Sequence, residues 1–454
     1  MPSPRRVDAD ACPGALRLHA AADGPLARVR LPGGRLTGAQ LQVLRTVAHE
    51  WGDGHLELTS RANVQLRALN GVAAERLAGR LAAAGLLPSR THELVRNIAA
   101  SPLPGGVLDV AELVGELDRA LCADAALAGL PGRFLFALDS GRGDVAFAAD
   151  VAAYPLDAAT DLPDAPAHPS GGTTDVPNAP VDAPRRAADP RGRTVDPRRG
   201  TVDPRGGTVA ILFAGVDAGL RVPAEEIVPA LLAAAHAFLA EREAQRGAGP
   251  AWRVGELVDG AGLLAARTAA ALGVTLHAPV ALDRPEIVPP VGTVEIPDGL
   301  VSVAAVVPLG RWDAVQMTVL ERAATLVVTP WRGVVVPGLA AAEASGWRRA
   351  LAGAGLEVEQ GARWAGVTAC AGRPGCAKSL ADVRADATRS VTVSAPAAGL
   401  PVHWVGCARG CGSPAGPHVR VEATGRDYAV RSPSGSGRAG VDGVADLVAA
   451  ARRS

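Results

Sequence analysis

Apolar residues recur at helical spacing in three long stretches of this chain, and at strand spacing in one. Leu41, Leu44, Val47, Ala48 and Trp51 follow Thr37, which suits a helix cap, and precede Gly52, which suits a helix end. Val110, Leu113, Val114, Leu117 and Leu121 mark a second amphipathic helix, and Cys122 beside that stripe reads as a core thiol. Ile227 to Arg242 reads as an Ala/Leu-rich helix with His236 as a packing residue. A strand is predicted from His55 to Thr59. Residues 61–68 then alternate: Arg61, Asn63, Gln65 and Arg67 on one face, Ala62, Val64, Leu66 and Ala68 toward a core. Two guanidiniums and two amides on one face suit a carboxylate-rich ligand, because arginine pairs with carboxylates in a bidentate way. Arg96-Asn97, ahead of Ser101-Pro102, and Trp331-Arg332 are further anion-binding candidates.

The pattern repeats once. Leu26 to Leu69 holds an apolar strand, Gly34-Arg35-Leu36, a helix, then Leu58-Thr59-Ser60-Arg61. Leu300 to Leu339 holds an apolar strand, Leu309-Gly310-Arg311, a helix, then Val328-Thr329-Pro330-Trp331-Arg332. The matching order of elements predicts a duplication, each half with a basic residue, Arg61 or Arg332, just past the second strand's Thr. Residues 155–208 differ in kind. They are rich in Asp, Pro, Ala, Thr and Gly, and from Asp189 three seven-residue units run in tandem. Such a stretch reads as a disordered insertion, because it offers too little apolar surface to offset its ordering entropy.

Composition narrows the class. The 454 residues are 48% hydrophobic, ample for several cores, and Lys plus Arg equals Asp plus Glu at 46 each. No bulk charge points to nucleic acid or a membrane surface. No apolar run reaches the ~18 residues that span a bilayer, so a cytoplasmic protein with reduced thiols is expected. Four of the six cysteines fall in one region: Cys370 and Cys376 spaced C-x5-C, Cys407 and Cys411 spaced C-x3-C. Four thiolates so spaced suit a [4Fe-4S] cluster, and the glycines and proline between Cys370 and Cys376 favour a loop that wraps an object. Zinc and unligated thiols are the alternatives; structural zinc pairs are usually about two to four residues apart. Lys378, the only lysine, lies two residues past Cys376. His403, four residues before Cys407, reads as structural ahead of a ligand.

Together these residues resemble the nitrite/sulfite reductase superfamily. The cysteine quartet is similar to its cluster signature, Thr59-Ser60-Arg61-Ala62-Asn63-Val64-Gln65 to its tetrapyrrole-contacting strand, and Arg96-Asn97 to its second basic contact. The resemblance implies an α+β fold with duplicated architecture: two ferredoxin-like half-domains, each followed by an α/β module. The expected divisions are 1–75, 76–290 (with the 155–208 insertion), 291–345 and a cluster-binding 346–454. Within the superfamily, Cys12-Pro13-Gly14-Ala15-Leu16-Arg17, Arg96 to Pro102 and Thr329-Pro330-Trp331-Arg332-Gly333 are most similar to the precorrin-3B synthases of aerobic cobalamin biosynthesis. Reductases with sirohaem place two lysines, one residue apart, after a Leu-Pro turn. Here Leu130-Pro131-Gly132-Arg133-Phe134-Leu135 keeps one charge, Arg133, and loses the other.

The resemblance thus implies oxygenation of precorrin-3A at C20 with γ-lactone formation. It would use dioxygen and NADH-derived electrons delivered by a reductase partner. Arg61, Asn63, Gln65, Arg67, Arg96, Asn97, Arg133 and Arg332 would bind substrate, and Cys370, Cys376, Cys407 and Cys411 the cluster. The family also suggests a mononuclear non-haem iron, whose usual ligands are two histidines and a carboxylate. None of the nine histidines forms a diagnostic spacing with an acid. Sirohaem enters only under the alternative, a nitrite or sulfite reductase.

Overall fold

The computed structural model describes residues 12–156, 208–393, 399–414 and 416–453. The tandem units lie outside them, apart from Thr208 and Val209, so the expected insertion is not described. Among the described residues the strands form four sheets of five.

The first half runs β1 (His19–Ala21), β2 (Gly24–Val29), β3 (Arg35–Leu36), α1 (Gly38–Trp51), β4 (Leu56–Leu58), β5 (Val64–Leu66) and α2 (Ala74–Ala83). Helix α1 begins at a capping box: the Thr37 hydroxyl accepts from Gln40 N, and the Gln40 side chain accepts from Thr37 N. The first module follows with β6 (Ile98–Ala100), α3 (Val110–Ala123), β7 (Phe136–Leu138), β8 (Val151–Pro155), β9 (Thr208–Phe213), β10 (Val216–Pro223), α4 (Ile227–Ala244) and α5 (Gly260–Leu272). The second half then repeats the first: β11 (Gly292–Glu295), β12 (Leu300–Val306), β13 (Arg311–Trp312), α6 (Ala314–Leu320), β14 (Leu326–Val328), β15 (Gly333–Ala340) and α7 (Ala341–Gly353). Asp313 and Gln316 rebuild the capping box. The second module holds β16 (Val367–Ala369), α8 (Val383–Val393), β17 (Val402–Val405), β18 (Val419–Ala423), β19 (Asp427–Ser432), β20 (Gly435–Gly440) and α9 (Val444–Arg453). Both modules pair their strands in chain order as parallel, parallel, antiparallel, antiparallel.

The halves exchange an edge strand. β3 pairs with β14 of the second half, Leu36 opposite Leu326, while β13 pairs with β4 of the first, Trp312 opposite Leu56. Gly34 makes this crossing. Its φ is +70°, and a methyl there would stand 2.0 Å from the Val328 carbonyl oxygen. Leu36, Leu41 and Leu66 therefore share one core with Trp312, Leu326 and Val336. The half-domains also extend past the expected boundaries at 75 and 345. Leu77 and Leu81 of α2 and Leu351 of α7 belong to the shared core, and those boundaries cut both helices.

Candidate functional site

The functional face is where the two halves stop matching. In the first half, Arg28, Gln65 and Glu57 stand side by side across β2, β5 and β4. In the second half the same register places hold Ala304, Val335 and Val327. That apolar copy is sealed by Leu103. A cavity of about 260 Å³ beside it is lined by Leu103, Pro102 and Trp331, with Asp144 at its edge.

The polar face instead joins two charged regions. Arg28 Nη2 donates to Gln65 Oε1 at 2.8 Å, and Gln65 Nε2 lies 3.4 Å from Glu57 Oε2. Glu57 pairs with Arg384 at 2.6 Å, and Arg384 Nε donates to the Cys370 carbonyl at 3.2 Å. At one end of this chain of contacts lies a group of guanidiniums, at the other the cysteine loops.

The guanidinium group holds Arg28, Arg30, Arg61, Arg133 and Arg253, with Cys12 among them. Burial, then the field of Arg28, pushes Arg30 down to about 9; burial, then Arg253, pushes Arg61 down to about 10. Arg28 is lowered as well, chiefly by burial. Charges crowded this way are under-compensated, which is the condition an anion relieves. Arg61 has no ion pair among the described residues. Arg133 lies over the Trp252 ring at 5.0 Å. Arg253 Nε donates to Asp150 at 2.9 Å, and that buried carboxylate also accepts from Leu135 N and Val254 N. Burial raises Asp150 above the usual carboxylate range. The segment carrying Cys12 is pinned by Glu93, which accepts from Ala15 N and Leu16 N, and by Arg30, which donates to the Pro13 carbonyl at 2.7 Å.

Several expected ligand residues do other work. The alternation at 61–68 is a strand only over 64–66, because Ala62 and Ala68 have left-handed backbones. Asn63 is buried and accepts from Leu31 N, and Asn97 is buried between Arg30, the Leu94 carbonyl and the Gly132 carbonyl. Arg67 is spent on Asp23 at 2.9 Å and the Gly375 carbonyl at 2.8 Å. Arg96, also buried, forms a bidentate pair with Asp118 at 2.6 and 2.7 Å. Arg332 does not correspond to Arg61. Thr329 and Thr59 each accept from the residue four further on, so Trp331 matches Arg61 and Arg332 matches Ala62. Arg332 lies beside Gly412 of the cysteine loops. His236 is a surface residue bonded to Asp124 at 2.6 Å, and Cys122 is half-buried, so neither is core.

The cysteines sit at one end of the second module. Cys370 directly follows β16, and Cys407 lies two residues past β17, its parallel neighbour. Gly406 N donates to Cys370 Sγ at 3.3 Å, and Leu380 N, four residues past Cys376, donates to the Gly406 carbonyl. Gly406 must be glycine, since a methyl there would lie 1.8 Å from Ser379 Oγ. Cys370, Cys376 and Cys407 are half-buried and Cys411 is exposed. Among the described residues no three His, Cys, Asp or Glu side chains stand together as a single-ion site. The expected histidine–carboxylate triad is therefore not found there. The four thiols are carried by two adjoining loops, Cys370 and Cys376 on one and Cys407 and Cys411 on the other, joined through Gly406. The first module has the same loops without sulfur: Ser140 N donates to Ser101 Oγ at 3.0 Å where Gly406 N donates to Cys370 Sγ.

Residues 19–84 match the nitrite/sulfite reductase ferredoxin-like half domain. This chain contains that half domain. Ferredoxin–nitrite reductase of Synechococcus elongatus is 36% identical over 129 residues, 26% of this chain and 25% of the relative. A precorrin-3B synthase of Sinorhizobium sp is 30% identical over 150 residues, 33% of this chain and 32% of the relative. The chain thus matches a third or less of the length of these curated relatives. The solved structure of Mycobacterium tuberculosis NirA protein superposes with a TM-score of 0.68 over 94% of this chain and 79% of its own, at 18% identity. The fold of that structure is therefore shared along nearly the whole chain. Among the described residues no helix is long and apolar enough to cross a membrane.

Proposed function

We propose that the chain is an oxygenase of a polycarboxylate tetrapyrrole, acting as precorrin-3B synthases do on precorrin-3A at C20, with γ-lactone closure. One observation carries this reading: an under-compensated guanidinium group joined by a polar sheet face to a four-cysteine edge. Arg28, Arg61, Arg133 and Arg253 take the macrocycle's carboxylates. Asp150 and Trp252 hold two of those arginines in place. Cys370, Cys376, Cys407 and Cys411 would hold a [4Fe-4S] cluster, which supplies electrons one at a time. In the balance, one atom of dioxygen enters the product and the other leaves as water, with two electrons from NADH by way of a partner reductase. A mononuclear iron has no ligand set among the described residues, so no step is assigned to it.

The second reading is a sirohaem-dependent nitrite or sulfite reductase, favoured by the relatives of that name. Against it, Leu135 is buried and apolar where those reductases carry a cation, and Arg133 rests on Trp252. A small oxyanion would lose a charge clamp there. The absorption spectrum of anaerobically purified protein tests the choice. A broad iron–sulfur shoulder alone is expected, and strong sirohaem bands would support the reductase.

A further inference from the structure

The two modules differ in polarity at one cross-strand pair. In the first module Ala99 faces Ala137 across β6 and β7. In the second, the same register places hold Thr368 and His403, across β16 and β17. The replacement is polar although His403 is fully buried, a costly place for an imidazole unless both ring nitrogens are satisfied. Both are. His403 Nε2 lies 3.0 Å from the Cys411 carbonyl oxygen, which only accepts, so Nε2 carries the proton. Nδ1 then accepts from the Thr368 hydroxyl at 2.7 Å. The imidazole therefore ties the core of the sheet to the far end of the Cys407–Cys411 loop. The module with alanines at these places is also the one with Ser101 in place of Cys370, so the chain carries its own comparison.

We propose that Thr368 and His403 are positioning residues that hold the Cys407–Cys411 loop in its ligating conformation. This rests on the reading that these cysteines bind a cluster. Arg420 Nη2 holds the near part of the loop by donating to the Ala408 carbonyl at 2.8 Å, whereas the far end at Cys411 is reached by His403; the other bonds, from Gly410 N to the Cys407 carbonyl and from Ser413 N to the Gly410 carbonyl, are short-range. Thr368 acts through the ring by fixing its tautomer.

The full chain with His403→Leu, His403→Gln and Thr368→Val tests this by two readouts. The first is amide hydrogen exchange of residues 407–412 in iron-free protein, which needs no cluster. His403→Leu is expected to speed it roughly tenfold, the equivalent of one lost hydrogen bond, while exchange in the β17 strand stays as it was. Gln can donate to the same carbonyl, so His403→Gln should restore most of the protection. The second is iron release to a chelator from the loaded protein, expected to accelerate in the same order. Unchanged exchange at 407–412 in His403→Leu overturns the proposal. So does faster exchange spread evenly over the module, with no rescue by Gln. Wild-type protein free of iron and sulfide would instead sink the cluster reading, and the exchange result would still decide whether the loop is held this way.

Discussion

Replacing Arg61 and replacing Arg96 should have opposite consequences, although both are basic residues of the same sequence neighbourhood. Arg61 has no ion pair among the described residues, and burial, then the neighbouring Arg253, pushes it down to about 10. Its removal leaves no orphaned acid. Arg61→Ala should therefore change folding stability by less than about 1 kcal/mol, within the range of substitutions that break no network. Binding should suffer, because a charge-assisted hydrogen bond to a carboxylate contributes roughly 1.5–3 kcal/mol, or about 10- to 150-fold in Kd. Arg96 is buried, and its two bonds to Asp118 are internal. Arg96→Ala strands that carboxylate and should cost about 3–5 kcal/mol of stability. Urea denaturation measures the stabilities, and absorbance titration with a polycarboxylate tetrapyrrole measures affinity. The reasoning fails if Arg61→Ala binds like wild type, or if Arg96→Ala unfolds at the wild-type urea concentration.

Three further outcomes are expected. The cavity beside the apolar copy of the sheet face holds about 260 Å³, smaller than the ~300–1,000 Å³ pockets that take drug-sized ligands; tetrapyrrole titration should saturate at one per chain, and two would contradict the assignment. Burial, then the nearby Asp139 charge, raises Asp144 from 3.8 to about 6, so its ionised form opposes folding. That group's contribution is favourable at low pH and is lost as pH rises through about 6; Asp144→Asn should be more stable than wild type above pH 6 and lose that advantage near pH 4, and a pH-independent difference would refute this. Gly34→Ala should destabilise by roughly 2–4 kcal/mol through the clash with Val328 and the left-handed backbone, measured by calorimetry, and a wild-type Tm would show that the strand exchange tolerates a side chain there.

The elements set by local chemistry were legible in the sequence. Thr37, its apolar stripe and Gly52 bound α1 as expected, and α3 and α4 follow their spacing. The duplication was legible as well, but its register at the turn was not: an Arg-rich chain offers many matches, and only the hydrogen bonds of Thr59 and Thr329 set Trp331 against Arg61. Arg67 and Arg96 looked available because Asp23 and Asp118 lie 44 and 22 residues away, and pairing at that distance depends on the fold. Arg28 and Arg30 left a signal, two arginines one residue apart beside an apolar strand. Arg253 left none; Asp150, 103 residues away, brings it to the site. The strand exchange between halves is likewise a matter of tertiary packing.

The central claim is that the cysteine edge and the arginine group serve oxygen transfer to one tetrapyrrole. Aerobic turnover of precorrin-3A under isotopically labelled dioxygen, followed by mass analysis, tests it most directly. The expected product is heavier by one labelled oxygen atom, and its formation stops in Cys407→Ser. Substrate recovered unchanged from protein that holds sirohaem and reduces nitrite or sulfite would contradict the account.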